Sequence, residues 1–398
     1  MKIFFLSSGP ILPLVGGRRL REYQILKELA KIAPVRALCL TKGKNEDDIP
    51  ADHPRVLEGN AHSITFSFHP LDEKGLLSLF SLFGPHFAKG FSSSLLRTLR
   101  AELSDDDLIW ASRLRMAKYI SRVQNRQVYT VLDEHQIESD LMLDEAFQSW
   151  RRWSDGISAM QVARYERSLA RKAQVVVTAS PIDAHRVQRL SPKSQIKIIP
   201  FQLPLAPYEI DPSNQKPKEN RIVFIADLEY PPNREAITWT EKEIMPRLKA
   251  SLGKDIPEFV IATSDPIPKG SERGSSQSYL HYDTPEELGR ILSESVLAVF
   301  PLRQGRGNRI HLLEAMAAGL PVVCTGKAID GLTLRPSLDI FLANDSDGIT
   351  SHIVRLLRDP ELRALTGKNA RDTVSRAYGN RELKESFLEI LTALGIKR

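Results

Sequence analysis

The chain alternates between short, continuously apolar runs and longer segments in which apolar residues recur at helical spacing. Continuous apolar runs are typical of strands in a parallel sheet that is covered on both faces. Such runs occupy residues 3–6, 35–40, 107–110, 128–132, 175–179 and 196–199, and then 222–225, 258–262, 296–302 and 322–324. The pattern predicts an α/β protein with two successive doubly wound domains.

The boundary between these domains is predicted at residues 203–220, LPLAPYEIDPSNQKPKEN, where proline and polar residues interrupt the alternation. We therefore expect a first domain at 1–202, a linker at 203–220, a second domain at 221–378 and a C-terminal helix within 379–398. The chain has 398 residues, of which 42% are hydrophobic, and this is enough for two separate cores.

Charge and cysteine usage narrow the functional classes. The formal charge of +6 favours anionic partners, but the sequence has no zinc-finger spacing and no long basic block, so nucleic acid is not expected. Cys39 and Cys324 stand alone in apolar runs, which predicts buried free thiols in a reducing compartment.

The first apolar run is too short for a signal peptide, and no run approaches the ~20 residues needed to span a bilayer. We therefore expect a cytoplasmic protein.

The segment at residues 296–324, VLAVFPLRQGRGNRIHLLEAMAAGLPVVC, predicts a strand, a glycine-containing loop, a helix and a second strand. Gly305 and Gly307 allow backbone amides to approach a ligand closely, and Asn308 is a candidate N-cap for the helix. Three arginines add guanidinium groups to this loop: Arg303, Arg306 and Arg309. A loop that joins the carboxyl end of a strand to a helix N-terminus, with cations beside it, predicts a phosphate-binding site.

Residues 301–303, 307–309 and 312–323 of this segment resemble the donor-binding signature of family 4 (group 1) retaining glycosyltransferases. The resemblance implies the GT-B fold, in which two Rossmann-like domains face each other across a cleft and a C-terminal helix crosses back to the first domain. It implies that the first domain binds the acceptor and that the second binds the nucleotide-sugar. In that family the loop holds the donor diphosphate, and the glutamate at the position of Glu314 binds the ribose hydroxyls.

Three further patches extend the resemblance. Gly16 and Gly17 follow the first strand, where family members place a Gly-Gly loop against the donor phosphate and the acceptor, although a plain turn explains them equally well. The string DEHQIE at 133–138 is similar to the family's D-x-H-N-x-E element, whose histidine, here His135, reaches the donor sugar. The string FIADLEYPPN at 224–233 is similar to the motif that opens the second domain, and it is followed by Arg234. The resemblance implies that Arg234, Arg303 and Arg309 neutralise the leaving diphosphate.

Three positions depart from the family patterns. Arg306 stands where many members have a glutamate, His311 stands where the similar subgroup commonly has lysine, and Ala226 stands where that subgroup has glycine. These departures keep open the alternative of a non-catalytic relative that acts as a partner or scaffold in glycan assembly. A Rossmann-type nucleotide-dependent oxidoreductase is a second alternative, although the first strand is not followed by G-x-G-x-x-G.

Two D-x-D strings, at 105–107 and 345–347, have the form of the motif with which GT-A transferases bind a metal ion. Each lies where a turn or a helix cap is expected, so we interpret both as local structure. The resemblance to GT-B enzymes implies that no metal or other cofactor is needed beyond the nucleotide-diphosphate sugar, which is a substrate.

The acceptor is expected to be a glycan or a lipid-linked molecule. The amphipathic stretch at 76–103 and the string WRRW at 150–153 are either helices packed on the sheet or a peripheral contact with the inner face of a membrane. The interpretation of the whole sequence is a glycosyltransferase that transfers a sugar to an acceptor hydroxyl with retention of configuration, in polysaccharide or glycoconjugate biosynthesis.

Overall fold

The computed structural model describes residues 1–12, 14, 17–41, 53–58, 61–72, 91–123, 126–135, 137–140, 142, 153–209, 221–267, 277–305, 310–332, 334–379 and 383–396. The chain divides into two compact units. The first is formed by Met1–Phe201 together with Glu382–Arg398, and the second by Gln202–Arg381. The predicted linker starts within the second unit, and its residues 210–220 lie outside the described part of the chain.

The first unit is built on an eight-stranded sheet with the order β3-β4-β2-β1-β5-β6-β7-β8. Neighbouring strands are parallel except for β3 and β4, which pair antiparallel. Its strands are β1 (Ile3–Ser7), β2 (Val35–Thr41), β3 (Val56–Leu57), β4 (Ile64–Pro70), β5 (Leu108–Ser112), β6 (Tyr129–Glu134), β7 (Val175–Thr178) and β8 (Gln195–Ile198).

Helices cover this sheet because successive side chains of a strand point to opposite faces. In β1, Ile3 and Phe5 join the apolar cluster on one face, while Phe4 and Leu6 join the cluster on the other. The described helices between the strands are α1 (Gly17–Leu29), α2 (Ser93–Glu102), α3 (Leu114–Ile120), α4 (Trp153–Ala170) and α5 (Pro181–Leu190).

The second unit has a six-stranded parallel sheet with the order β11-β10-β9-β12-β13-β14. Its strands are β9 (Arg221–Ile225), β10 (Glu258–Thr263), β11 (Gln277–His281), β12 (Leu297–Phe300), β13 (Val322–Cys324) and β14 (Phe341–Leu342). Its described α-helices are α6 (Pro231–Trp239), α7 (Met245–Leu252), α8 (Pro285–Ser293), α9 (Ile310–Ala317), α10 (Ser346–Arg358) and α11 (Pro360–Tyr378). A π-helical turn at Thr240–Ile244 connects α6 to α7.

Helix α9, which carries the predicted ribose-binding glutamate, is held in place by close packing at its carboxyl end. Gly319 follows it with φ +77°, so the predicted end of the helix is confirmed. A Cβ atom at Gly367 of α11 would lie 2.1 Å from the Gly319 carbonyl oxygen. Only glycine at position 367 allows this contact, which fixes α11 directly against the end of α9.

The last helix, α12 (Lys384–Leu394), belongs to the first unit although the chain reaches it after the second. The Phe387 ring stacks on Trp110 of β5, with 5.7 Å between ring centres and an interplanar angle of 17°. Ile390 and Leu394 join the same cluster as Ile3.

The predicted fold class, two parallel α/β units with a final helix that returns to the first, is confirmed by the structure. Each predicted strand corresponds to an observed one, while β3, β4, β11 and β14 were not predicted. Cys39 and Cys324 are buried and free, as predicted, and burial raises the pKa of both thiols.

Candidate functional site

The first unit gathers polar side chains where β1, β5 and β6 end. We call Arg21, Glu22, Ser112, Asp133 and His135 the first-unit cluster. Glu22 lies on α1 and is fully buried. Its carboxylate accepts a hydrogen bond from Ser112 Oγ at 2.7 Å and one from an Arg18 guanidinium nitrogen at 2.6 Å. Parallel strands deliver their carboxyl ends to one edge of the sheet, which is where ligands bind in open α/β folds.

Asp133, at the end of β6, forms a buried ion pair with Arg21 of α1. The shortest contact, from an Arg21 terminal nitrogen to Asp133 Oδ1, is 2.7 Å, and another Arg21 nitrogen donates to the Ile199 carbonyl at 2.8 Å. Burial alone would raise the pKa of Asp133. The positive charge of Arg21 and the contact with His135 outweigh it and hold this pKa well below its usual range.

The contacts of His135 with other described residues fall on one ring nitrogen. Its Nε2 lies 3.1 Å from Ser112 Oγ and 3.1 Å from Asp133 Oδ2. Because the Ser112 hydroxyl already donates to Glu22, both neighbours of Nε2 act as acceptors, and this network places the proton on Nε2. In the neutral ring, Nδ1 is then an acceptor, so His135 suits a ligand hydroxyl.

The first unit also contains two neighbouring buried carboxyl groups, Glu134 of β6 and Glu166 of α4. Among the described residues, neither carboxyl oxygen of Glu134 has a hydrogen-bond partner. Glu166 accepts hydrogen bonds from the backbone N–H groups of Glu138 and Ser139 and from the Ser139 hydroxyl. Burial, reinforced by the neighbouring carboxylates, raises the pKa of Glu134 well above its usual value, and burial raises that of Glu166 to about 7.

In the second unit, Arg303 lies just beyond β12. It donates hydrogen bonds from Nε, at 2.9 Å, and from a terminal nitrogen to the Glu235 carboxylate of α6. The guanidinium carbon also lies 4.6 Å from the centre of the Trp239 ring, within cation–π range. The neighbouring Arg234 donates to the Leu228 carbonyl oxygen at 2.6 Å. Two of the three arginines predicted to neutralise the diphosphate, Arg234 and Arg303, therefore have partners within the second unit.

Gly305, predicted for close backbone approach, has φ +90°. A Cβ atom there would lie 2.4 Å from the Tyr230 hydroxyl oxygen, so a larger residue would displace Tyr230. Gly17, the other described glycine of the prediction, is the first residue of α1. The remaining predicted site residues lie outside the described part of the chain: Gly16, Arg306, Gly307, Asn308 and Arg309.

Glu314 lies on α9 and is 7% exposed. Its Oε1 accepts a hydrogen bond from the Tyr208 hydroxyl at 2.8 Å, and its Oε2 lies 2.7 Å from His311 Nδ1. The other ring nitrogen of His311 lies 3.3 Å from Asp227 Oδ1, beyond the end of β9. Glu314, the residue predicted to bind the ribose, therefore lies in a charged network that also contains His311, Tyr208 and Asp227.

Sequence reasoning missed several residues of these two sites: Arg21, Glu22, Ser112, Glu166, Tyr208, Asp227 and Glu235. One signal was available for α1, because Arg18 and Glu22 are spaced as an i,i+4 pair in a helix that must pack on a sheet. Charged residues on the inner face of such a helix indicate a polar site.

The described residues contain no group of three or more histidine, cysteine or acidic side chains positioned to hold a metal ion. Among the same residues, no helix has the length and apolar character needed to cross a bilayer. In the second D-x-D string, Asp345 caps α10 by accepting from the Gly348 N–H at 2.7 Å, as predicted.

Residues 219–359 match the sequence family described as Glycosyl transferases group 1. The matched range lies in the second unit and contains β9, the glycine loop and α9. No curated protein sequence matches the chain.

Solved structures match over nearly the whole chain. The sucrose-phosphate synthase of Thermosynechococcus elongatus is 17% identical with a TM-score of 0.69, and the alignment covers 98% of each chain. The Anabaena protein HepE, solved in complex with UDP-glucose, is 15% identical with a TM-score of 0.63 over 99% of this chain and 100% of that one. At these identities the likeness establishes the fold, which is GT-B.

Proposed function

We propose that the chain is a GT-B glycosyltransferase of family 4 that transfers a sugar from a nucleoside-diphosphate sugar to an acceptor hydroxyl with retention of anomeric configuration. The observation that carries the proposal is the position of Glu314. It is a buried carboxylate on the helix that follows the glycine loop at the end of β12, inside the range matched to glycosyl transferases.

The proposed reaction breaks the bond between the anomeric carbon and a diphosphate oxygen, which leaves with the electron pair. The acceptor oxygen bonds to that carbon as its hydroxyl loses a proton. Negative charge therefore accumulates on the diphosphate, and groups fixed in place before the reaction stabilise that charge most effectively. In this proposal Arg234, Arg303, Arg306 and Arg309 supply the positive charge, and the backbone of Gly305, Gly307 and Asn308 supplies N–H groups.

The first unit is proposed to bind the acceptor and to orient the donor sugar. Gly16 and Gly17 would admit the donor phosphate beside the start of α1. His135 would accept a hydrogen bond from a sugar hydroxyl through Nδ1, because its Nε2 is committed to Asp133 and Ser112. Asp133 and Ser112 hold the ring in that tautomer.

The same proposal suggests a donor, an acceptor and a cellular location. UDP-sugars are the first donors to test, because HepE was solved with UDP-glucose. No metal or cofactor is proposed, because in this proposal the arginines and the N-terminus of α9 would neutralise the leaving group. We propose a glycan or lipid-linked acceptor, and action in the cytoplasm during polysaccharide or glycoconjugate synthesis, with peripheral contact to the inner membrane face if the acceptor is lipid-linked.

A second candidate is a non-catalytic partner in glycan assembly. The pairing of Arg303 with Glu235 favours it, because a guanidinium bound to a carboxylate is less available to a diphosphate. The oxidoreductase alternative is disfavoured, since the glycine loop lies in the range matched to glycosyl transferases.

Incubation of the purified chain with a panel of nucleoside-diphosphate sugars, with and without EDTA, separates these candidates. We expect release of the nucleoside diphosphate from one donor, through slow hydrolysis or through transfer to an acceptor, and equal rates in EDTA. Proton NMR of the sugar product should show the anomeric configuration of the donor. Tight donor binding without turnover would favour the non-catalytic partner, and activity that disappears in EDTA and returns with manganese would contradict metal independence.

A further inference from the structure

His311 bridges two carboxylates in the second unit. Its Nδ1 lies 2.7 Å from Glu314 Oε2, one helical turn further along α9, and its Nε2 lies 3.3 Å from Asp227 Oδ1 in the loop after β9. The His311 and Glu314 side chains are 13% and 9% exposed, whereas 48% of the Asp227 side chain is exposed. The ring is therefore held on both sides by acceptors.

This geometry determines the protonation state of the ring. A carboxylate is an acceptor only, and a neutral imidazole has a single N–H, so one ring nitrogen would present its lone pair to a negative oxygen. The imidazolium form donates to both carboxylates instead. Burial alone would lower the pKa of His311, but Asp227 and Glu314 outweigh it and raise this pKa to about 10.

Two tyrosine hydroxyls, those of Tyr208 and Tyr282, also lie within reach of the Glu314 charge. Burial, together with the charge of Glu314, raises the pKa of both phenols far above the neutral range, so both remain uncharged. The Tyr208 hydroxyl donates to Glu314 Oε1. Within the described part of the chain, the hydrogen-bonded groups of this network carry one imidazolium and two carboxylates, while the carboxylates of Glu286 and Asp265 act on Tyr208 and Tyr282 respectively.

We infer that Asp227 and His311 form a positioning pair that fixes the Glu314 carboxylate in the orientation needed to receive the two ribose hydroxyls of the donor. The inference rests on the proposed function, because it concerns the same donor site. His311 occupies a position where the resembled subgroup commonly has lysine, and Asp227 is the partner that keeps a positive charge at this position.

The described contacts do not use every acceptor position of the Glu314 carboxylate. A carboxylate has about four lone-pair positions, and the described contacts use one on each oxygen of Glu314, for Tyr208 and for His311. One position on each oxygen remains, which suits two neighbouring hydroxyls. A planar imidazolium that is itself fixed by Asp227 prevents rotation of Glu314, so less side-chain freedom is lost when a nucleotide binds.

The first test measures the ring directly. In histidine-labelled protein, the His311 NMR signal is assigned from its loss in His311→Gln. We expect the ring to stay protonated up to about pH 9, below its folded-state pKa of about 10. In Asp227→Asn the midpoint should fall by at least about one pH unit, because one of two charged partners is removed. An unchanged midpoint would overturn the inference.

The second test measures UDP affinity by calorimetry. Asp227→Asn and His311→Gln should each weaken UDP binding about three- to tenfold. His311→Lys restores the positive charge and should recover most of the loss. Glu229→Gln, which neutralises an exposed carboxylate of the same loop, is the matched control and should bind as the wild type does. Wild-type affinity in both Asp227→Asn and His311→Gln would overturn the inference.

Failure of the proposed function gives a different pattern. A wild-type chain that binds no nucleoside diphosphate would remove the donor site, and the inference would fall with it even if the ring titrates as expected. Normal UDP binding that is weakened by Glu314→Ala but not by Asp227→Asn would keep the donor site and reject the pair. Asp227→Glu keeps the charge, so its near-normal His311 titration supports the pair if Asp227→Asn does not fold.

Discussion

Arg303 donates two hydrogen bonds to the carboxylate of Glu235, so the arginine proposed to hold the donor diphosphate already has an anionic partner. The Arg303 and Glu235 side chains are 47% and 24% exposed, and partly exposed pairs of this kind contribute about 1 kcal/mol. A diphosphate carries more negative charge than one carboxylate. It can therefore displace Glu235 from Arg303, or bind Arg303 while Glu235 remains in contact. We therefore expect the pairing to lower the affinity for the donor without preventing binding.

Glu235→Gln removes this competition and leaves Arg303 stacked on Trp239. We expect up to about fivefold tighter binding of the nucleoside diphosphate, measured by calorimetry, because the lost pair is worth about 1 kcal/mol. Glu241→Gln, an exposed change nearby, is the control. Weaker binding in Glu235→Gln would show that Glu235 positions Arg303 for the ligand instead of competing with it.

Asp133→Asn should lower the free energy of unfolding of the first unit by about 3 kcal/mol or more, since it leaves the buried Arg21 charge without its partner. The pKa of Asp133 is lower in the folded chain than in the unfolded chain, where it is near 4. The ionised carboxylate therefore stabilises the fold above about pH 4, and this contribution is lost as the pH falls through the folded-state pKa. Urea denaturation at neutral and acidic pH measures both effects.

Asp140→Asn is the matched control for this change, because Asp140 pairs with Arg186 at 3.6 Å in a partly exposed position. We expect it to cost less than about 1 kcal/mol. Equal losses in the two variants would contradict the account of Asp133.

Glu134→Gln should stabilise the first unit at pH 8 relative to the wild type. The pKa of Glu134 and that of Glu166 are raised in the folded state, so the folded chain retains protons that the unfolded chain releases. The free energy of unfolding of the wild type should therefore fall as the pH rises from about 4.5 to about 7, where Glu166 loses its proton in the folded state. It should continue to fall at higher pH until Glu134 loses its proton as well.

The glutamine keeps the shape and removes the charge, so we expect a gain of at least about 1 kcal/mol at pH 8 and little change at pH 4. Glu102→Gln, in an exposed pair with Arg36, should show no such dependence. A loss of stability at pH 8 in Glu134→Gln would mean that the carboxyl has a stabilising partner after all.

Phe387→Ala should destabilise the first unit by about 3 kcal/mol, because it removes the ring that stacks on Trp110 and leaves a cavity in the core. The neighbouring Leu388, which is 37% exposed, provides the control. Thermal unfolding of both alanine variants measures the difference, and equal effects would show that α12 contributes little to this core.

The sequence predicted the strands that are continuously apolar, because burial on both faces leaves an unbroken run. It did not predict β4, ITFSFHP, where buried and half-buried positions alternate and the apolar run is interrupted. The glycine loop and Glu314 could be recognised because their residues are close together in the sequence. Their partners could not, since Tyr208 is 106 positions from Glu314 and Asp227 is 84 from His311. Contacts between residues so far apart in the sequence arise only from the tertiary fold of the second unit, which local sequence patterns do not specify.

Calorimetric titration of UDP into wild type and Glu314→Ala tests most directly whether Glu314 binds the ribose of a nucleoside-diphosphate sugar. Loss of charge-assisted hydrogen bonds worth about 1.5 to 3 kcal/mol should weaken binding roughly ten- to hundredfold. Glu361→Ala, an exposed change in α11, should leave the affinity unchanged. Equal UDP affinity in wild type and Glu314→Ala, with the fold intact by circular dichroism, would contradict the account.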